Sequence, residues 1–243
     1  MNEEIELTVV VPCYNEENNI VPLVEELTGV LEGLGRRYEI LYVDDCSTDS
    51  SVARIENLQA RRPKVRFVRH RINSGESAAE ATGFRNARGS VIITIDADLQ
   101  NDPADIPHLL ESLSEADVVC GIRRRREDDW VKRISSKIAN AFRNTITGDQ
   151  VADAGCTFRA LKKEAVMELP IFNGLHRFLP TLARYQGFVV TEILVNHRPR
   201  QSGESKYGVG NRLWRGILDC LVMRWFKRRC VSARRIAEKR NDG

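Results

Sequence analysis

The feature that most narrows what this chain can fold into is a regular alternation of β-forming runs with helical stretches over its first half. "IELTVVVP" (5–12), "YEILYVDD" (38–45), "VRFVRH" (65–70), "VIITIDAD" (91–98) and "ADVVCGIR" (116–123) each read as a strand. Between the first two, Ile20, Leu23, Val24, Leu27, Val30, Leu31 and Leu34 recur at helical spacing, and Gly35 closes the stretch. Ser47 and Thr48 offer N-caps for a second helix, and residues 77–87 and 103–114 read as a third and a fourth. Such alternation implies an α/β protein with a mostly parallel, Rossmann-like sheet flanked by helices. Past residue 125 the pattern loosens. Helices are expected near 130–146, 160–168 and 174–186, a strand near 188–197, and an amphipathic helix near 209–228. The expected organisation is one domain over 1–208 and a basic amphipathic C-terminal helix and tail over 209–243.

A chain of 243 residues with 42% hydrophobic and 29% charged side chains fits a globular domain of this kind. The six cysteines are scattered and include no C-x-x-C, which points to free thiols in the cytoplasm rather than to a disulfide framework. "MNEEIELTVVVPCYNEE" lacks the basic and apolar regions of a signal peptide, and no window approaches the ~18 uncharged apolar residues of a spanning helix. The net charge of +3 hides an asymmetry. Residues 198–243 carry 13 Lys+Arg against 4 Asp+Glu, a net of +9, so the rest sums to −6. A basic tail on an acidic body expects an anionic partner, either nucleic acid or a membrane surface. No zinc-finger, RRM or KH signature supports nucleic acid.

In a doubly wound sheet, ligands bind beyond the carboxyl ends of the strands. Those ends read "PCYNEENN", "DDCSTD", "HRINSGES", "DADLQND" and "GIRRRR". Neither G-x-x-x-x-G-K-[ST] nor G-x-G-x-x-G is present, so a nucleotide here needs another way to hold its phosphates. Asp96 and Asp98, two apart at a strand end, would share a face and point into the crevice. Two carboxylates with an amide oxygen nearby make a hard oxygen site suited to Mg²⁺ or Mn²⁺ bridging a diphosphate. The alternative is that D-x-D merely caps the next helix, although Asp102 before Pro103 serves that role well.

"VVVPCYNEENNI", "VDDCSTD", "NSGESAAEATGF" and "IDADLQNDP" together resemble the family 2 glycosyltransferases of GT-A fold. "DADLQNDP" and "RQSGESKYG" (200–208) resemble the dolichyl-phosphate mannose synthase branch, which glycosylates polyprenyl phosphates. The resemblance covers roughly residues 7–210. It implies that Pro12, Tyr14, Asn15 and Glu16 line a nucleoside pocket, with Asp44 or Asp45 on the base or ribose and Ser47 beside them. Asn15 and Glu16 also suit a helix N-terminus. Gly75 and Glu76 would lie along the nucleotide, Asp96 and Ala97 would border it, and Asp96, Asp98 and Gln100 would form the metal site.

On the acceptor side, "IRRRREDDWVKRISSK" (122–137) reads either as a solvated basic loop or as a phosphate grip. The resemblance assigns Arg123, Arg133 and Ser136 to the acceptor phosphate, with Ser135 equally available. It places Asp153 near the sugar, where a helix-start cap is the other reading, and turns His176 and Arg177 toward the same cleft, where His176 also suits a structural role. Arg200, Ser205 and Lys206 would close over the diphosphate, with Gly203 and Gly208 as hinges. The implied catalytic set is Asp98, Asp153, Arg200 and Lys206.

The implied reaction is transfer of a hexose from a GDP- or UDP-linked donor to a polyprenyl phosphate. A hydroxyl acceptor needs a base, whereas a phosphate is already an oxyanion near pH 7. Direct in-line displacement with inversion follows. Other readings are a family 2 transferase using a hydroxyl acceptor in polysaccharide or glycolipid synthesis, and a non-catalytic sugar-nucleotide sensor. "LVMRW" (221–225) has Leu221 where the Q-x-x-R-W of polysaccharide synthases has Gln. A polyprenyl acceptor places the enzyme peripherally on the cytoplasmic face of a membrane, with a membrane protein as a further partner. Leu213, Trp214, Ile217, Leu218, Leu221, Val222, Trp225 and Phe226 form the apolar face expected either to lie among headgroups or to pack on the domain.

Overall fold

The computed structural model describes residues 4–124, 140–199 and 212–231, with the backbone alone for 212–215. Seven strands form one sheet: β1 (Leu7–Cys13), β2 (Tyr38–Asp44), β3 (Val65–Arg69), β4 (Val91–Thr94), β5 (Val118–Arg123), β6 (Arg159–Lys162) and β7 (Val190–Val195). Their spatial order is β3-β2-β1-β4-β6-β5-β7. Every neighbouring pair is parallel except those of β6, which runs antiparallel to β4 and β5. The expected mostly parallel, helix-flanked sheet is therefore the fold.

β1 and β2 are apolar on both sides because both sheet faces are covered. Val9 and Val11 face α1 (Ile20–Gly33), α2 (Ser51–Arg61) and α4 (Ile106–Ser112), packing with Leu23, Leu27, Ile55 and Leu109. Val10 faces the opposite layer: α3 (Glu76–Asn86), a helix whose described part is 140–147 (α5), the short α6 (Glu164–Met167), α7 (Leu175–Tyr185) and α8 (Arg212–Arg229). In α3 the small residues are a packing requirement. A Cβ at Gly83 would lie 2.2 Å from Val10 Cγ1. This close approach sets the N-terminus of α3 over the carboxyl end of β1.

Four expectations are corrected. Residues 160–168 are not one helix; they are β6 followed by the single turn of α6. The backbone there alternates, with Phe158 and Ala160 in one core layer and Leu161 in the other, and the charged Arg159 in that strand masks the pattern. β4 stops at Thr94, so "VIITIDAD" is not a strand to its end, and the chain turns away with Leu99 at φ +62°. Ser47 and Thr48 do not cap α2, which starts after Ser50. The Ser47 hydroxyl accepts from the Asn15 amide (2.9 Å), and the Thr48 amide donates to Asn15 Oδ1 (2.8 Å). Among its described side chains, the apolar face expected on the C-terminal helix is split between core and solvent; the Leu213 and Trp214 side chains lie outside the described residues. Asp102 does cap the turn begun by Pro103, accepting from the Ala104 amide at 3.0 Å. All six cysteines are free.

α8 docks through one face. Cys220 and Met223 are buried against the second core layer and Phe226 packs beside them. Lys227 Nζ donates to the Thr147 and Gly148 carbonyls, both at 3.3 Å, where α5 ends. The buried Asp149 carboxylate, which follows that end, is gripped by Thr181 and Arg184 of α7 and lies 3.6 Å from Arg143. Burial opposes its charge, but these partners hold its pKa below the usual value. On the other face Leu218, Leu221, Val222 and Trp225 are 46% to 61% exposed. Among the described residues, no helix is long and apolar enough to cross a membrane.

Candidate active site

A cleft of about 390 Å³ opens at the carboxyl ends of β1, β2 and β4. Pro12, Tyr14 and Glu16 line one wall, Asp45 and Gly75 the next, and Asp96, Ala97 and Asp98 the floor. With Glu76, which also lines it, nine residues read from the sequence as nucleotide- or metal-binding thus meet in one place. Asn73 and Ala79 join them, as does Cys13, whose thiol burial and the nearby Asp44 push up to about 12. Such a thiol is packing, not a nucleophile.

Asp45 organises this wall. Its carboxylate accepts from the Ser74 amide (2.8 Å) and the Gly75 amide (2.7 Å), and pairs with His70 Nδ1 (2.7 Å). Three bonds on one side chain fix the loop after β3, and Gly75 adopts φ +86° to start α3 there. Asp44 is placed differently. It is fully buried beneath the cleft, accepting from the Ser47 amide and pairing with Arg69 at 3.3 Å. Asn15 (φ +54°) and Ser47 tie the β1 and β2 ends together behind the lining. Glu16 accepts from Asn19 Nδ2 at 2.7 Å as α1 begins, while its backbone amide donates to Ser51.

The turn after β4 presents the two aspartates. Asp96 Oδ2 accepts from the Thr157 hydroxyl at 2.6 Å, and Asp98 Oδ1 accepts from the Gln100 amide at 3.1 Å. Burial and the neighbouring Asp98 carboxylate push Asp96 up to about 6, against the Thr157 bond. Two like charges held together out of water are what a divalent cation relieves. Among the described residues no group of three or more His, Cys, Asp or Glu side chains forms a closed cage. An open pair of carboxylates suits Mg²⁺ or Mn²⁺ whose remaining ligands are phosphate oxygens and water. The donor set therefore fits the expected metal. Gln100 Nε2 donates to the Arg198 carbonyl at 3.4 Å, so this side chain braces the chain that leads into 200–208. Arg198 itself is pinned by Glu26 (2.7 Å) and Asp102 (2.8 Å).

Beside the aspartates lies an ionic layer whose fully buried members, Glu80 and Arg159, sequence reading missed. Burial, then Asp96 and Glu80, push Glu76 up to about 8. Glu80, one helical turn on, is fully buried and raised to about 7 by burial, with Arg159 opposing. Arg159 Nη1 sits 3.7 Å from Glu80, and Nη2 donates to the Cys156 (2.8 Å) and His176 (2.6 Å) carbonyls. The available signal was the i, i+4 spacing of Glu76 and Glu80 on a helix otherwise filled with small residues. His176 pairs through Nδ1 with the Ser77 hydroxyl (2.7 Å) and accepts at Nε2 from Arg177 Nε (3.2 Å), joining α3 to α7.

At the far edge, Arg123 ends β5 and pairs with Asp153 through Nε and Nη2, both at 2.8 Å. Arg133, Ser136, Arg200, Ser205 and Lys206 lie outside the described residues.

The model of the family described as "Glycosyl transferase family 2" matches residues 8–169. The chain belongs to glycosyl transferase family 2. It is 36% identical over 234 residues to the dodecaprenyl-phosphate galacturonate synthase of Rhizobium johnstonii, covering 93% of this chain and 68% of that protein. It is 37% identical over 221 residues to the undecaprenyl-phosphate 4-deoxy-4-formamido-L-arabinose transferase of Edwardsiella ictaluri, covering 89% and 68%. Among solved structures, glucosyl-3-phosphoglycerate synthase from Mycobacterium tuberculosis, in complex with Mn²⁺ and UDP-glucose, superposes with a TM-score of 0.68 at 18% identity, covering 90% of this chain and 79% of that one. A mannosyltransferase from Pyrobaculum calidifontis, in complex with GDP-mannose and Mn²⁺, gives 0.59 at 19% identity, covering 95% and 66%. These two likenesses establish the fold.

Proposed function

We propose that this family 2 enzyme transfers a hexose from a GDP- or UDP-linked donor to a polyprenyl phosphate, with inversion. One observation at the acceptor edge of the cleft carries the reading beyond the family: the carboxylate there, Asp153, is held in two bonds by Arg123. Both of its oxygens are turned onto that guanidinium rather than onto an acceptor hydroxyl. An acceptor that arrives as an anion needs no base, only a cation to receive it. The two relatives near 36% identity, named for transfer to dodecaprenyl and undecaprenyl phosphate, support the same acceptor class.

In this reading Pro12, Tyr14, Glu16, Asp45, Gly75 and Ala97 receive the nucleoside diphosphate. Asp96 and Asp98 would hold a divalent cation, which when bound would neutralise the departing diphosphate, while Gln100 braces Arg198 beside them. Arg123, with Arg133 and Ser136, orients the acceptor phosphate. Its oxygen attacks the anomeric carbon as the bond to the diphosphate oxygen breaks on the opposite face. Arg200, Ser205 and Lys206 close over the diphosphate and counter its charge. The exposed face of α8 lays Leu218, Leu221, Val222 and Trp225 among lipid headgroups, beside the exposed Arg224, Arg228 and Arg229, on the cytoplasmic side. A membrane protein is a further partner on this reading.

The test is a panel of radiolabelled GDP- and UDP-sugars with undecaprenyl phosphate and Mg²⁺ or Mn²⁺. Label entering the lipid phase from one donor is the expected result. Label passing to a hydroxyl acceptor instead rejects the reading.

A further inference from the structure

Asp153 stands beside Arg123 at the carboxyl end of β5, and the family resemblance places its acidic side chain near the sugar. Its surroundings assign it another task. The turn that presents it is fixed from β7: the Glu192 carboxylate accepts from the Ala152 amide at 3.0 and 3.1 Å, and its Oε1 from the Asp153 amide at 3.5 Å. Asp153 then takes Arg123 side-on, Oδ2 from Nε and Oδ1 from Nη2, while Oδ2 also receives the Arg123 backbone amide at 3.4 Å. The fit is tight. A Cβ at position 155 would stand 3.0 Å from Arg123 Nη2, so Gly155 leaves the room in which the guanidinium lies.

A guanidinium has five N–H donors in a fixed plane. Asp153 uses the Nε–H and one Nη2–H. Among the described residues no partner takes the end-on edge, formed by Nη1 and the second Nη2–H, whose parallel donors are spaced for two oxygens of a phosphate. The Arg123 charge helps to lower the pKa of Asp96, so the guanidinium lies within electrostatic reach of the Asp96–Asp98 pair.

We infer that Asp153 is a positioning residue rather than a group on the sugar: braced by Glu192 and accommodated by Gly155, it aims the end-on edge of Arg123 at the acceptor phosphate. The inference deepens the polyprenyl-phosphate reading and rests on it for the identity of the acceptor. It does not rest on it for the phosphate chemistry, and the two can fail separately.

The experiment is calorimetric titration of the full chain with farnesyl phosphate and, separately, with inorganic phosphate, alongside UDP or GDP titrated with Mn²⁺. Asp153→Asn keeps the shape but loses the charge that orients the fork, and is expected to weaken farnesyl phosphate binding about tenfold while nucleotide binding stays within twofold. Arg123→Lys, which has no planar fork, should weaken it similarly, and Asp153→Asn added to Arg123→Lys should cost nothing more. If Asp153→Asn fails to fold in a thermal melt, Glu192→Gln reads the same relay from behind and should also weaken phosphate selectively. Unchanged or tighter phosphate binding in the Asp153 variant, with turnover alone impaired, overturns the inference. Asp153-dependent binding of inorganic phosphate without any of farnesyl phosphate keeps the inference and rejects the lipid acceptor. Binding of neither overturns both.

Discussion

Arg159→Met is the substitution that most directly tests the ionic layer beside the aspartates. Arg159 is fully buried on β6, and in the described structure its Nε and Nη1 lack hydrogen-bond partners, as do both Glu80 oxygens. At 3.7 Å the two charges attract without a good hydrogen bond. Glu80 is raised from 4.5 to about 7, a rise worth on the order of 3 kcal/mol at 1.36 kcal/mol per pH unit. The folded protein therefore holds a proton that the unfolded chain releases between about pH 4.5 and 7. Stability from this group is greatest at the low end of that window and falls as pH rises through it, the cost being complete above about 7. Removing Arg159 deprives the Glu80 carboxylate of its countercharge and pushes its pKa higher still. At pH 8 the loss should be ~3–5 kcal/mol, the cost of breaking a buried pair. At pH 5.5 Glu80 already carries its proton, and the loss shrinks to ~1–3 kcal/mol for the two carbonyls left unbonded. Urea unfolding followed by circular dichroism at both pH values measures this, with m unchanged. Glu80→Gln combined with Arg159→Met should recover much of the loss at pH 8 and abolish its pH dependence. An equal loss at both pH values, or no recovery in the double variant, would refute the assignment of the penalty to Glu80.

Mn²⁺ binding in the presence of UDP or GDP, followed by electron paramagnetic resonance, should weaken about fourfold from pH 7.5 to 5.5 as Asp96 takes up its proton near pH 6. Asp98→Asn should weaken Mn²⁺ binding and turnover by ~10² while shifting that pH step downward, since the like charge raising Asp96 is gone; a step that stays near 6 contradicts this. Leu221→Ala with Trp225→Ala should reduce binding to anionic vesicles about tenfold without lowering the melting temperature, because both side chains are exposed. Lys227→Ala should do the reverse, destabilising the α8 dock with little effect on vesicles.

The parallel sheet and its cleft were legible because each rests on local pattern. β-branched runs gave the strands, the polar strand ends gave the place of the cleft and its two aspartates, and the family resemblance gave Pro12, Tyr14, Glu16, Asp45 and Gly75, which line the same cavity. What escaped depends on contacts distant in sequence. Arg159 reads as a surface helix residue until Glu80, 79 positions earlier, is brought beside it. Asp44 and Asp45 are indistinguishable in the sequence, yet the end of β2 buries the first and turns the second toward the 70–75 loop. Asp96 and Asp98 were expected to share a face through strand alternation. They are instead brought together by a turn with Leu99 in the left-handed region, a conformation that no periodicity announces.

The missed strand also explains why the two halves of the site meet. In a sheet of parallel strands only, β5 would pair with β4, and the loops that follow the two strands would sit side by side with nothing between them. β6 enters between them in the opposite sense, pairing Arg159 with Thr94 on one side and with Cys120 on the other. An antiparallel strand begins at the edge where its neighbours end. The segment leading into β6, residues 153–158, is thereby delivered to the carboxyl edge of the sheet, between the turn after β4 and the end of β5. From there Thr157 reaches Asp96 and Asp153 reaches Arg123. One reversed strand of four residues thus couples the Asp96–Asp98 turn to Arg123, and the buried Arg159 within it anchors that coupling to α3 and α7.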